Sequence, residues 1–199
     1  MSAISGFVLA GGQSSRMGRN KAFLKLDGRT LLARALELVR AVATETYIVG
    51  PRDEFADFAA VIEDVYPGHG PLGGIHAALC ATRTQLNLVL AVDTPFVTLA
   101  FLRHLVETAQ AGTAQVTVPR AGGRFHPLCA VYRRGFREAA ERALQAGRNK
   151  VDALFAEVEV RVIEEAELAR LAFEAQMFDN LNSPTEWEQA QRRFQASKP

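Results

Sequence analysis

Cysteine and tryptophan are scarce in this chain, with two of the former and one of the latter in 199 residues. Cys80 and Cys129 stand far apart in apolar surroundings. They read as two buried small hydrophobes, not as a disulfide or a metal pair. No C-x-x-C or H-x-x-x-H spacing occurs, which excludes the usual structural zinc arrangements. An excess of one charge is also missing: 23 basic residues face 22 acidic ones, for a net charge of +1. Nothing in that balance calls for nucleic acid or an anionic membrane. No apolar run approaches the ~18 residues of a membrane span. The N-terminus lacks the charged start and apolar run of a secretion signal. Repeats, low-complexity tracts and Pro/Gly/Ser linkers are absent too. The expectation is a soluble, cytoplasmic protein with a small-molecule partner, without nucleic acid or membrane. Residues 1–195 read as a single domain, with 196–199 as a frayed tail.

What is present is an alternation of strand-like runs and helix-period segments. Residues 4–10, 46–50, 59–64 and 86–93 read as strands, the last apolar on both faces as a central parallel strand would be. Between them, residues 30–42 and 72–82 read as helices, the first capped by Thr30. Residues 100–111 continue as a helix and 114–120 as a strand. Beyond that the spacing predicts strands at 126–134 and 158–163 and helices at 135–147 and 183–194. Ser183, Pro184 and Glu186 have the spacing of a capping box. Arg133 and Arg134 read as surface charges. The pattern predicts one Rossmann-like, three-layer α/β/α domain with a mostly parallel sheet. In such sheets ligands bind beyond the carboxyl ends of the strands. Gly11 to Lys21, Asp64 and Asp93 stand at such ends.

The stretch FVLAGGQSSRMGRNK, residues 7–21, is the most pointed of these. It is not a Walker A loop, because five residues separate Gly12 from Gly18 and Arg19 follows. It still holds the parts of an anion cradle. Gly11 and Gly12 expose main-chain N–H groups, Ser14 and Ser15 add hydroxyls, and Arg16 and Lys21 add positive charge. A surface turn with incidental basic residues is the plainer reading.

The order of these residues resembles the signature of the nucleotidyltransferases that attach nucleotides to sugar phosphates and cofactors. Its closest version is that of the molybdenum cofactor guanylyltransferases. Further segments continue the resemblance in order: VIED with GPLGGI (61–64 and 70–75), AVDTPFV (91–97), FHPLCAVY (125–132), GRNKVDALF (147–155) and FDNLNSPTEW (178–187). By this resemblance, Leu9, Ala10, Gly11, Gly12, Ser14, Lys21, Asp64, Gly73, Asp93, Asn180 and Asn182 would bind the substrates. Lys21, Arg16 and Asp93 would be catalytic, and Asp93 would hold Mg²⁺. The implied reaction transfers GMP from GTP to the phosphate of molybdopterin and releases pyrophosphate. Molybdenum-insertion proteins and molybdoenzyme chaperones are the further partners it implies.

Three positions depart from the pattern: Asn20 stands in place of the usual aspartate, Ala91-Val92 in place of Pro-Cys, and Gly50 where an asparagine is frequent. Gly50 and Asn20 keep a cytidylyltransferase on the same pterin open. A nucleotide-binding regulatory or chaperone module without turnover is the rival from another class. Plainer readings stand beside the functional ones. Asp93 also suits a turn start, and Asn180 and Asn182 suit a turn before a capped helix. His126 fits either a structural role or contact with the pterin's phosphate. Arg148 and Lys150 fit an anionic substrate or solvent equally. Trp187, Phe173, Phe178 and Phe194 read as packing.

Overall fold

The computed structural model describes residues 3–11 and 20–196. Gly12, Ser14, Ser15 and Arg16, together with residues 197–199 of the expected tail, lie outside the described residues.

The chain begins with β1 (Ile4–Leu9), whose six residues are all buried. After a 3₁₀ turn at Lys21–Phe23 comes a small antiparallel hairpin, β2 (Lys25–Leu26) and β3 (Arg29–Thr30), with Asp27 and Gly28 at positive φ in its turn. The hairpin leads into α1 (Leu31–Arg40), capped as expected by Thr30, which accepts from Ala33 N. β4 (Glu45–Val49), the short α2 (Arg52–Phe55), β5 (Ala60–Ile62) and α3 (Gly70–Ala81) follow. Then come β6 (Leu86–Ala91), α4 (Leu99–Ala111), β7 (Val116–Ala121), β8 (Arg124–Phe125) and β9 (Cys129–Arg133). The chain closes with α5 (Phe136–Gln145), β10 (Val160–Ile163), α6 (Glu165–Arg170) and α7 (Pro184–Ala196).

The main sheet runs β10-β7-β9-β6-β1-β4-β5, with β8 paired to β7. β1 lies parallel between β4 and β6, and β9 is antiparallel to both β6 and β7. The sheet is therefore mostly parallel, as expected, with antiparallel pairings concentrated in its second half.

Side-chain alternation assigns the two faces. Ile4 and Val8 of β1 and Leu86, Leu88 and Leu90 of β6 pack against α1 and α4. Phe7, Leu9 and Val89 point the other way, to α3 and α5. Gly6 sits where a Cβ would overlap Val39 Cγ1 of α1, so the helix lies close on the strand. α3 is buried from Leu72 to Leu79, which explains its apolar character on all sides. At the far end of the sheet from the strand exits, Ser5, Thr84 and Asn87 share hydrogen bonds of 3.0–3.1 Å through the Thr84 hydroxyl.

Two sequence-based readings need correction. Cys129 is buried, but Cys80 is exposed near the end of α3, where the last turn leaves the covered face. Arg133 is not simply a solvated surface charge. It is half-buried, and its guanidinium donates to the carbonyls of Ala109 (3.2 Å) and Ala114 (3.1 Å). A cation at that place satisfies main-chain oxygens at the carboxyl end of α4. Among the described residues no helix is long and apolar enough to cross a membrane.

Candidate active site

Parallel strands bring their carboxyl ends to one edge of the sheet, and the chemically rich residues gather there. Lys21 enters from the 3₁₀ turn. Asn20 caps that turn, its Oδ1 accepting from Ala22 N at 3.0 Å. Ala22 is fully buried and pins the turn to the core. The other end of the Asn20 carboxamide donates to Glu54 Oε2 at 2.5 Å. An aspartate would keep the cap and lose this donor, and would set like charges side by side. The departure at residue 20 therefore has a local partner.

Lys21 Nζ donates to Asn182 Oδ1 at 2.7 Å and lies 3.8 Å from Asp93 Oδ2. Three segments far apart in sequence thus meet at one ammonium: the exit of the first loop, the exit of β6 and the segment before α7. The side chains of Lys21 and Asp93 are only 17% and 20% exposed, so this pair is screened less than a surface ion pair. Burial raises the Asp93 pKa above the usual carboxylate value. Lys21 and the residue's own backbone N–H oppose that shift, and Glu186 adds to it. The turn that carries Asp93 is fixed by Thr94, whose hydroxyl donates to Ala91 O at 2.8 Å. Leu181 N in turn donates to Asp93 O at 3.0 Å, which ties the C-terminal segment to the β6 exit.

Asp64 follows β5 and lies against the first turn of α3. A Cβ on Gly73 would meet Tyr66 O at 3.0 Å, and one on Gly74 would meet Leu9 Cδ2 at 3.2 Å. Those glycines let the helix start come close to Asp64 and to the exit of β1. Half-burial raises the Asp64 pKa, while the helix N-terminus beside it favours its charged form. A Cβ on Gly11 would stand 3.4 Å from Gly50 Cα. A Cβ on Gly50 would stand 2.9 Å from Phe55 Cε2 and 3.2 Å from Gly11 N. Gly50 thus has a packing reason, because Phe55 is fully buried and fills the space a side chain would need. Ala10 N and Gly11 N both donate to Val49 O, at 3.0 and 3.1 Å, and hold the two strand exits together.

The capping box forms at the start of α7. Glu186 Oε2 accepts from Asn182 N (2.6 Å) and Ser183 N (2.9 Å), and Glu186 N donates to Ser183 Oγ (3.3 Å). These bonds lower the Glu186 pKa and fix the backbone beneath Asn182. Asn180 and Asn182 are exposed on either side of the buried Leu181 and line one cavity, as their spacing suggested.

Other sequence candidates have partners within the chain. His126 stacks on Phe178 at 4.4 Å, with Nε2 3.2 Å from Ala121 O. Arg148 pairs with Glu157 at 2.5 Å, and Lys150 with Asp152 at 3.5 Å. Phe173, Trp187 and Phe194 pack against the core, and Phe178 is part of it. Two features carried no signal in the sequence reading. One is the bond of 2.8 Å between His69 Nδ1 and Asn149 Oδ1, which links the loop before α3 to the loop after α5. The other is the cavity beside α7, although the spacing of Glu186, Gln189, Ala190 and Arg193 already places them on one helix face.

Comparisons with known proteins agree with this geometry. The family described as MobA-like NTP transferase domain matches residues 6–162. A molybdenum cofactor guanylyltransferase from Desulfosudis oleivorans is 35% identical, covering 100% of this chain and 99% of its own. A probable molybdenum cofactor guanylyltransferase from Pelotomaculum thermopropionicum is 36% identical over 92% of this chain and 89% of its own. Among solved structures, molybdopterin-guanine dinucleotide biosynthesis protein A from Archaeoglobus fulgidus superposes with a TM-score of 0.83. It is 28% identical and covers 96% of this chain and 99% of its own. A 2-C-methyl-D-erythritol 4-phosphate cytidylyltransferase from Thermus thermophilus shares the fold, with a TM-score of 0.70 at 22% identity, covering 98% of this chain and 100% of its own.

Proposed function

The chain belongs to the MobA-like NTP transferase family, and from that premise we propose that it transfers GMP from GTP to the terminal phosphate of molybdopterin. The products are the guanine dinucleotide form of the cofactor and pyrophosphate. The observation that carries the reading is Lys21 Nζ, held between Asn182 Oδ1 and Asp93 at the strand exits.

An acceptor phosphate monoester is largely dianionic near neutral pH, since its second pKa is about 6. One of its oxygens forms a bond to the α-phosphorus of GTP. The bond from that phosphorus to the α–β bridging oxygen breaks, and pyrophosphate leaves with the electron pair. The nucleophile carries no proton that must be removed, so the site needs no strong general base. What it needs is charge neutralisation and in-line placement of two anions. Lys21 has the charge and the restricted position for this task, and Arg16 and the amides of Gly11 and Gly12 are its proposed companions. Asp64, Leu9, Ala10 and Gly73 would border the nucleoside.

Asp93 is the proposed Mg²⁺ ligand. Mg²⁺ takes one or two carboxylates together with waters and substrate phosphates. Among the described residues no cluster of three His, Cys, Asp or Glu side chains is placed to hold a metal. A single part-buried carboxylate at the end of β6 fits an ion shared with the triphosphate better than an all-protein cage would. When bound, the ion would supply Lewis-acid stabilisation of the phosphoryl oxygens. We place the reaction in the cytoplasm, with molybdenum-insertion proteins and molybdoenzyme chaperones as further partners.

The base preference rests on the relatives' names. Gly50 does not argue for another base, since Phe55 accounts for it. The test offers GTP, CTP, ATP and UTP separately with Mg²⁺ and molybdopterin, and identifies the dinucleotide by mass. Product from GTP alone is expected. Product from CTP alone would overturn the guanylyl assignment. Nucleotide binding without product from any of the four would overturn the transferase assignment.

A further inference from the structure

A cavity of about 470 Å³ is lined by α7 and the segment before it, and it includes Asn182, the partner of Lys21. Its volume suits a small heterocyclic ligand. It is lined by the face of α7 carrying Glu186, Gln189, Ala190 and Arg193 and by residues of the segment from Gln176 to Asn182. Phe96 and Arg124 complete the lining. Asn182 belongs both to this cavity and to the Lys21 hydrogen bond, so the cavity and the candidate transfer site share a residue.

The lining is unusual in its chemistry. Its formal charges balance, with Arg124 and Arg193 against Asp179 and Glu186. It is not built as an anion trap; the positive charge for a phosphate is Lys21, at the Asn182 end. Four carboxamides converge instead, those of Gln176, Asn180, Asn182 and Gln189. Asn182 already has a partner in Lys21. The side-chain amides of Gln176, Asn180 and Gln189 have no hydrogen bond among the described residues, and each offers two N–H donors and one carbonyl acceptor. Such groups match the edge of a fused heterocycle, where ring nitrogens, an amino group and an oxo group alternate. The Arg193 guanidinium lies 4.2 Å from the centre of the Phe96 ring, and Phe96 is stacked on Phe194. That arrangement makes a flat, held shelf beside the amides.

Position in the chain points the same way. The family match ends at residue 162, and apart from Phe96 and Arg124 every lining residue lies beyond it. The shared region contains the loop, Asp64 and Asp93. The part that builds this cavity lies outside it, where a specific acceptor would be recognised.

We propose that Gln176 and Gln189 read the hydrogen-bonding edge of the acceptor's fused heterocycle, with its phosphate directed toward Lys21 and Asp93. This rests on the reading that the acceptor is a phosphorylated pterin, and it adds two specificity-determining residues to that site. Both side chains are exposed, so leucine replacements leave the fold in place.

The test compares wild type with Gln176→Leu, Gln189→Leu and the double variant, with matched melting temperatures as the control. Initial rates are measured with molybdopterin varied at saturating GTP, and then with GTP varied at saturating molybdopterin. A lost hydrogen bond to a buried ligand edge weakens binding about 10-fold. The acceptor KM should rise about 10-fold in each single variant and about 100-fold in the double. The GTP KM should stay within about twofold, and kcat should change little, because uniform binding is what is lost. A folded double variant with a wild-type acceptor KM would overturn the proposal, as would a rise confined to the GTP KM. Wild-type enzyme that forms no dinucleotide from molybdopterin would overturn the acceptor reading itself, and the proposal with it.

Discussion

At the exits of β1 and β4 the surface is made by glycines and main-chain atoms, whereas between α7 and residues 176–182 it is made by side-chain amides. The first region admits no bulk. A side chain on Gly11 or Gly50 would crowd the other residue, and Gly73 and Gly74 bring the start of α3 up to Asp64. The second is open and polar, on a helix of low apolar content held mainly by its capping box and its contact with the core. Main-chain geometry suits a ligand common to the whole family, the nucleotide. Exchangeable side chains suit the partner that differs. Lys21, Asp93 and Asn182 join the two regions at one point.

The largest effect should appear at that junction. Asp93→Asn should lower kcat by about 10³-fold or more, the scale of a lost charge-stabilising group, while nucleotide binding persists. Lys21→Ala should cost about 10²- to 10³-fold. Equal losses from the Gln176 and Gln189 variants would erase the distinction between junction and cavity.

Next is a stability contrast. Gly50→Ala drives a methyl group onto the buried Phe55 ring and should destabilise the protein by about 1–3 kcal/mol, read as a lower denaturant midpoint. The exposed amides of the cavity should tolerate change without such a shift.

A pH effect should be smaller. Burial raises the Asp93 pKa, so the folded state holds its proton to higher pH than the unfolded chain does. This contribution to stability is full below the unfolded value, about 3.9, and is lost as pH rises through the folded one. Asp93→Asn should therefore melt above wild type at pH 7, despite its loss of activity, and the difference should shrink as the pH is lowered. Smallest is the cap: Ser183→Ala should cost about 1 kcal/mol and raise the acceptor KM more than the GTP KM, since that cap fixes the backbone under Asn182.

Much of the fold was legible because buried parallel strands have a plain signature. Residues 86–93 were read as a central parallel strand, and β6 does lie between β1 and β9, parallel to the first but antiparallel to the second. The capping box at Ser183 and Glu186 was legible because its two bonds follow from spacing alone. The β2–β3 hairpin was missed because two-residue strands leave no periodicity, and its turn uses Asp27 at positive φ. The exposed position of Cys80 was missed because burial at a helix end depends on where its neighbours stop. Of the site, the strand-exit rule located Lys21, Asp64 and Asp93. It did not locate the amide-lined cavity, whose walls come from segments that meet only in three dimensions.

The central claim is that these strand exits hold a triphosphate for cleavage between its α and β phosphorus atoms. GTP analogues with a methylene in place of one bridging oxygen test it directly. With molybdopterin and Mg²⁺, the β,γ-methylene analogue should yield the guanine dinucleotide and methylenebisphosphonate, and the α,β-methylene analogue should yield no product. Dinucleotide from the α,β-methylene analogue, or none from the β,γ-methylene one under conditions where GTP reacts, would contradict the account.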